Sequence, residues 1–163
     1  TSANVEGLKK GSYDLIFGSY SACEPNIEFV PIIQQEIVAI LPTVHPLCHK
    51  EALSAKDFAD CPVLGYARHS GLGKYTRSFF KKHDVSPNFI CESPDENGIA
   101  SLVAHGFGIA LVADVDTIYR DDICIRPLVS NESFSHTVYM GYIRGKYQLP
   151  AVQRFIEFVK QHG

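Results

Sequence analysis

The stretch SPDENGIASLVAHGFGIALVA, residues 93–113, decides the fold class. Its first turn is acidic, Ile99, Leu102 and Val103 recur at helical spacing, and Gly106 ends the pattern, which together predict a helix. The closing GIALVA is short, apolar and typical of a buried strand. A helix of about three turns followed at once by such a strand is the repeating unit of an α/β fold.

The same alternation extends in both directions along the chain. Apolar, β-branched runs predict further strands, at 13–18, 27–33, 35–42, 62–67, 88–92, 123–128 and 136–143. Capping residues and helical spacing predict helices, at 1–11, 69–83, 114–120 and 149–162. We therefore expect an α/β fold with a mostly parallel sheet, whose ligands bind at the carboxyl ends of the strands.

Composition excludes several classes of protein. The chain has 163 residues, 45% hydrophobic and 20% charged, which suits one ordinary globular domain or two small lobes. No apolar run is long enough to span a bilayer, and the opening residues do not resemble a signal peptide. A net charge of −3 argues against direct DNA binding. Five cysteines without a CxxC pair indicate reduced thiols and a cytoplasmic protein.

The pentapeptide HPLCH, residues 45–49, offers three potential metal ligands. Zinc sites take four ligands, as a rule in two separated pairs, and no second Cys/His pair follows at a suitable spacing. We interpret the segment as a proline-flanked turn after a strand, without metal. No cysteine lies in a nucleophile motif, and no paired carboxylates suggest acid–base catalysis. The sequence thus predicts no cofactor and no enzyme activity.

The segment SGLGK, residues 70–74, lies at the start of a predicted helix. It lacks the spacing of a nucleotide-binding phosphate loop. Its backbone N–H groups could hold an anion, with Arg68 and His69 adding positive charge, or the segment could be a simple helix entry.

Four segments in this order resemble the effector-binding domain of LysR-type transcriptional regulators: LKKGSYDLIFG, FVPIIQQEIVAILPTVHPL, LSAKDFADCPVLGY and SLVAHGFGIALVAD. The resemblance implies a two-lobed fold like that of type 2 periplasmic binding proteins. Lobe I would comprise residues 1–34 and 137–163, and lobe II residues 35–136. Compared with the family, the DNA-binding winged helix-turn-helix, the linker helix and the first elements of lobe I are absent, so lobe I is incomplete.

The resemblance implies a sensor of a small-molecule effector, bound between the lobes, that contacts DNA only through the absent N-terminal domain. A homodimer or homotetramer would be the working assembly, with no role at a membrane. An alternative is a solute-binding protein of a transport system with the same fold.

The family's effector contacts fall on two groups of residues. In lobe I they match Thr1, Ser2, Gly18, Ser19 and Tyr20. In lobe II they match Tyr66, Arg68, His69, Ser70, Gly71, Leu72 and Gly73, and residues 93–97 complete the wall. The positive charge and free backbone donors of this second group predict an anionic effector, with Arg68 as its main side-chain contact.

Two predicted helices carry apolar residues that would serve a dimer interface. These are Val5 and Leu8 on the first helix and Tyr75 and Phe79 on the 72–83 helix. The alternative is that all four face the core of their own chain.

Overall fold

The computed structural model describes residues 2–21 and 23–162, without the side chain of Ser2. The chain forms two compact units, one of Thr1–Gln34 with Thr137–Gly163 (unit 1) and one of Gln35–His136 (unit 2). The boundary falls inside two strands, β2 (Ile27–Pro42) and β7 (Ser135–Ile143).

Unit 1 is a small helix-and-strand layer. It contains helix α1 (Ser2–Lys9), strand β1 (Ile16–Gly18), the first part of β2, the second part of β7, and helix α4 (Pro150–His162). Strand β1 pairs antiparallel with β7. Helix α1 ends where Gly11 takes a φ of +74°, a conformation that glycine adopts without steric cost. The buried core of unit 1 includes Val5, Leu8, Ile16 and Ile27.

Unit 2 holds the larger sheet, in the strand order β6-β2-β5-β3-β4. Its strands are the second part of β2, then β3 (Pro62–Tyr66), β4 (Asn88–Ser93), β5 (Ile109–Ala113) and β6 (Ile123–Arg126). Its helices are α2 (Gly71–Lys82) and α3 (Glu96–Ala104), with turns of 3₁₀ helix at Pro46–His49, Ala55–Phe58 and Asp116–Ile118.

Both faces of the unit 2 sheet are buried. Along β2, Ile37, Ala39 and Leu41 join one core cluster, whereas Val38 and Ile40 join the other. Successive side chains of a strand point to opposite faces, so a continuous apolar run is what a sheet covered on both sides requires. Helix α2 covers the first face through Phe79 and Phe80, and α3 covers the second through Ile99, Ala100 and Val103.

Three expectations about secondary structure were wrong. Residues 27–33 and 35–42 form the single strand β2, because the exposed Gln34 between the two runs also adopts the extended backbone. The sheet is mixed: β3 runs parallel to β4 and β5, but β2 runs antiparallel to β5 and β6. The parallel strands are the ones whose connections contain helices, because two parallel neighbours must be joined by a crossover. The helix expected over 114–120 is a short 3₁₀ turn at Asp116–Ile118.

The apolar surface predicted for a dimer interface was also largely wrong. Val5, Leu8 and Phe79 are at most 6% exposed, because they pack in the cores of their own units. Tyr75 is half-buried against the ring of Phe134. Among the described residues, no helix is long and apolar enough to cross a membrane.

Candidate functional site

The candidate site lies at one edge of the unit 2 sheet, where β3 and β4 both end. These strands are parallel and Tyr66 pairs with Ser93, so their carboxyl ends meet. The N–H of Ala67 donates to the carbonyl oxygen of Ser93 at 2.9 Å, which holds the loops after the two strands together. Helices α2 and α3 begin directly after these loops, and such an edge is where open α/β sheets bind ligands.

A neutral side chain caps the first turn of helix α2. Ser70 Oγ accepts from the N–H of Gly73 at 2.9 Å, and the Ser70 carbonyl oxygen accepts from Lys74. The N–H groups of Gly71 and Leu72 precede the helix's own hydrogen-bond ladder. This first turn contains no acidic residue, so the positive end of the helix dipole is not neutralised locally.

Gly73 allows the loop to approach the helix closely. A Cβ atom at this position would clash with the carbonyl oxygen of Ala67. Any larger residue would therefore push the preceding loop, with Arg68 and His69, away from the start of α2. Gly73, which was predicted as an effector contact, lets the loop that carries these charged side chains lie close to the helix.

Helix α3 differs because it supplies its own negative charge. Asp95 is its N-cap and accepts from the N–H of Gly98 at 2.9 Å, and Glu96 follows in the first turn. The two carboxylates satisfy the positive end of this helix. An incoming anion is therefore favoured at the start of α2 and disfavoured at the start of α3.

Arg68 is paired with a carboxylate that the sequence did not reveal. Glu92 Oε2 accepts from the Arg68 backbone N–H at 2.8 Å, and Glu92 Oε1 lies 3.7 Å from Arg68 Nε. Arg77 Nη2 donates to the same Oε1 at 2.8 Å. The Arg68 N–H and the two guanidinium groups hold the pKa of the Glu92 carboxyl below its usual value. The Arg68 side chain is 69% exposed, so it remains available to a ligand.

Tyr66 is a buried structural member of the site. It is 1% exposed, and its hydroxyl donates to Glu96 Oε1 at 2.8 Å while accepting from the N–H of Ala113 at 3.0 Å. Burial raises the pKa of the Tyr66 phenol far above its ordinary value, so the hydroxyl stays neutral. This residue ties β3, β5 and α3 together beneath the edge.

The remaining predicted contacts fall in different places. His69 is exposed beside Arg68, whereas Leu72 is half-buried and packs against both core clusters. Gly18, Ser19 and Tyr20 belong to unit 1, where the Tyr20 ring packs on Phe29 with centroids 5.3 Å apart. Thr1 lies outside the described residues, as does the side chain of Ser2.

The HPLCH segment forms a turn, as expected. Pro46–His49 is a 3₁₀ helix, and His45 caps it by accepting from the N–H of Leu47 at 3.3 Å through Nδ1. Cys48 Sγ donates to the carbonyl oxygen of Pro42 at 3.2 Å. Within the described part of the chain, no three His, Cys, Asp or Glu side chains are grouped to hold a metal ion.

The family model named LysR substrate binding domain matches residues 1–163. The chain belongs to this family. The effector-binding domain of QuiR, solved in complex with shikimate, has the same fold, with a TM-score of 0.94 at 24% identity over 100% of this chain and 78% of that one. The Hca operon transcriptional activator HcaR of Escherichia coli is 21% identical over 99% of this chain and 55% of its own length.

A second relative by sequence is the uncharacterized HTH-type transcriptional regulator YybE of Bacillus subtilis, 23% identical over 97% of this chain and 54% of its own length. The chain thus spans about half the length of these curated relatives. The LysR assignment confirms a type 2 periplasmic-binding-protein-like fold in a ligand-sensing regulatory domain. It decides against the transport alternative, because the family and these relatives are transcriptional regulators.

Sequence reasoning missed Glu92, Arg77 and the Tyr66–Glu96 bond. Glu92 lies 24 residues from Arg68, and only the parallel pairing of β3 with β4 brings them together. The available signal was that Glu92 lies near the end of β4. This strand is the neighbour of β3, which leads into the basic loop at Arg68. Using it requires the strand order, which a single sequence does not supply.

Proposed function

We propose that this LysR substrate-binding domain senses a small carboxylate, which binds at the start of helix α2 in unit 2. The chain itself carries no catalytic activity. In the whole protein, a DNA-binding domain of the kind named in the HTH-type relatives transmits the signal to transcription in the cytoplasm. The observation that supports the binding mode is the contrast between the neutral first turn of α2 and the acidic first turn of α3.

Two kinds of group contribute to carboxylate binding. The N–H groups of Gly71 and Leu72 donate from the helix start, where the dipole favours an anion. The guanidinium of Arg68 supplies a charge-assisted hydrogen bond from the loop above. His69 and the Ser70 hydroxyl line the same turn. Gly73 and Tyr66 act indirectly, by setting the position of the loop and of α3.

Glu92 partly neutralises the positive charge of Arg68 that would attract a ligand. At 3.7 Å the Glu92–Arg68 ion pair is long and exposed, which makes it weak. A carboxylate that approaches the guanidinium can therefore compete for it. Arg77 Nη2, 2.8 Å from Glu92 Oε1, offsets the negative charge on Glu92, and this leaves the edge favourable to an anion.

The predicted contacts of unit 1 remain part of this proposal. Ser19 and Tyr20 follow β1, at the end of a strand, as the family resemblance implies for effector contacts. Tyr20 is 59% exposed, which leaves much of this residue accessible to a ligand. Thr1, Ser2 and Gly18 stay predictions from the resemblance alone.

A ligand-binding screen tests the proposal. Shikimate is the first probe, because the effector-binding domain of QuiR was solved with it. Other small organic acids follow, each paired with its neutral amide or ester. We expect thermal stabilisation by an acid and not by its neutral counterpart, since a ligand at a hundred times its Kd adds about 2.7 kcal/mol. Stabilisation by neutral or cationic compounds only would contradict the proposal.

Regulation requires that the effector bind one arrangement of the whole protein better than another. Footprinting of the full-length protein on its own promoter region, with and without the stabilising acid, measures this coupling. An acid that binds but leaves both the footprint and transcription unchanged would argue against a sensory role while leaving the binding site intact.

We also propose that the whole protein works as a homodimer or homotetramer, as the resemblance implies. Strand β4 ends the strand order of unit 2, so one of its sides has no neighbour among the described strands. Ile90 on this strand is 48% exposed and Cys91 is exposed beside it. A strand with one open edge and an exposed Ile side chain favours pairing with a second copy.

A further inference from the structure

Two cysteines of unit 2 lie next to each other away from the candidate site. Cys124 is in β6, opposite Leu41 of β2, and is 9% exposed. Cys48 lies in the 3₁₀ turn and donates through Sγ to the carbonyl oxygen of Pro42, the residue after Leu41. Cys48 is half-buried and packs against the core cluster that contains Cys124. The two thiols are therefore neighbours although 76 residues separate them in sequence (124 − 48).

The turn that carries Cys48 is already fixed to β6. Arg126 donates to the Cys48 carbonyl oxygen through Nη2 at 2.6 Å and through Nε at 3.2 Å. Its Nε also donates to the carbonyl oxygen of Lys50 at 2.8 Å. These bonds hold the turn that carries Cys48 beside the strand that carries Cys124.

We propose that Cys48 and Cys124 form an oxidisable thiol pair, which a low-molecular-weight disulfide such as oxidised glutathione converts into an intramolecular disulfide. Cys48 is the attacking thiol because it is the more exposed of the two. Cys124 is the resolving thiol. The bridge covalently links the Pro46–His49 turn to β6 and makes the stability of unit 2 depend on redox conditions.

The reaction proceeds by two thiol–disulfide exchanges. The Cys48 thiol loses its proton, and its sulfur attacks one sulfur of oxidised glutathione, whose S–S bond breaks to release one glutathione thiolate. The Cys124 sulfur, after losing its proton, attacks Cys48 in the mixed disulfide and displaces the second glutathione. The protein loses two protons and two electrons, and one external disulfide takes them up to become two thiols.

The surroundings of Cys48 set the rate of this reaction. Burial, together with the neighbouring Cys124 thiol, raises the pKa of Cys48 to about 11. Since the thiolate is the nucleophile, the pair reacts slowly at neutral pH. The initial rate should rise about tenfold for each pH unit below that pKa.

Peptide mapping of the folded chain tests the proposal. The background is the Cys23→Ser/Cys91→Ser variant, which removes both exposed thiols and leaves Cys61 as an internal comparison. The protein is incubated with excess oxidised glutathione at pH 7, 8 and 9, unfolded, alkylated and digested. We expect a Cys48–Cys124 linked peptide, formed faster at each higher pH, an alkylated Cys61, and a raised Tm of the oxidised protein.

Two single variants in this background complete the test. Cys124→Ser should stop at a Cys48–glutathione mixed disulfide, and Cys48→Ser should yield no linked peptide and no rise in Tm. Circular dichroism checks that each variant is folded. Alkylation of both Cys48 and Cys124 in the oxidised parent protein, or a link of either one to Cys61, would overturn the proposal even if neither single variant folds.

Discussion

The hydroxyl of Tyr66 and the carboxylate of Glu96 are joined by a 2.8 Å hydrogen bond that links the end of β3 to the first turn of α3. The same hydroxyl accepts from the N–H of Ala113 at 3.0 Å. One buried atom thus connects three elements at the edge where the candidate site lies.

Replacing Tyr66 with Phe should lower the free energy of unfolding by about 1–3 kcal/mol, because the buried N–H of Ala113 loses its acceptor. Urea denaturation measures this difference. Tyr147→Phe is the matched control, since Tyr147 is 80% exposed, and it should change the free energy by less than about 0.5 kcal/mol. Equal stability of Y66F and the parent would show that the hydroxyl has no such role.

Ser70→Ala should weaken both the helix and the binding of an acid. Loss of the cap on the Gly73 N–H costs about 1 kcal/mol of stability. Because the first turn of α2 then frays, the donors of Gly71 and Leu72 are less well placed for a carboxylate. Thermal denaturation and calorimetric titration report the two effects, and Ser86→Ala in an exposed loop should alter neither. If S70A loses stability but binds the acid with unchanged affinity, the start of α2 is not part of the binding site.

Helix starts of this kind were predictable from the sequence because their signals are local. Ser54 lies three residues before Asp57, the spacing of a capping box, and in the turn at Ala55–Phe58 Asp57 accepts from both the N–H and the hydroxyl of Ser54. Gly106, with a φ of +77°, ended α3 as expected. The charge balance at Arg68 was not predictable, since the position of Glu92 depends on strand pairing.

Glu92→Gln should tighten the binding of an acidic effector, by about threefold, because it removes the carboxylate that competes for Arg68. The gain is small, because the Glu92–Arg68 ion pair is exposed to solvent and such pairs are weak. Isothermal titration calorimetry measures it against Glu51→Gln, an exposed acid elsewhere in unit 2. Weaker binding by E92Q than by E51Q would contradict this prediction. It would mean that the main role of Glu92 is to hold the loop through its hydrogen bond with the Arg68 N–H, and not to neutralise the Arg68 guanidinium.

Asp57 should make stability depend on acid pH. Burial alone would raise the pKa of the Asp57 carboxyl, but hydrogen bonds from Lys50 and Ser54 outweigh it and lower the pKa below the unfolded value of about 3.9. The unfolded state then binds a proton first as the pH falls. The stabilisation is complete above that value and is lost as the pH drops through the folded pKa.

Denaturation with urea from pH 6 to pH 2.5 measures the contribution of Asp57. Asp57→Asn should be about 1–2 kcal/mol less stable at pH 6, because it loses the carboxylate that accepts charge-assisted hydrogen bonds from Lys50 and Ser54, and it should lose less stability on acidification. Asp60→Asn, at an exposed neighbouring position, is the control. Parallel pH profiles for D57N and the parent would contradict the prediction.

Ile90→Lys should shift the full-length protein toward the monomer if β4 carries part of the interface. A charge on an edge strand discourages pairing with a second copy. Sedimentation velocity over a range of concentrations reports the change, with Val44→Lys as the control because Val44 is 90% exposed outside any strand. An unchanged dimer fraction in I90K would exclude this side of β4 from the interface.

The most direct test of the central claim is a calorimetric titration of the stabilising acid into the parent protein, Arg68→Ala and Arg154→Ala. Arg154, exposed on α4, controls for a general loss of positive charge. We expect R68A to weaken binding by about 1.5–3 kcal/mol, roughly 10- to 150-fold, and R154A to leave it unchanged. Equal affinity of R68A and the parent, or equal affinity of the parent for the acid and its neutral ester, would contradict carboxylate sensing at the start of α2.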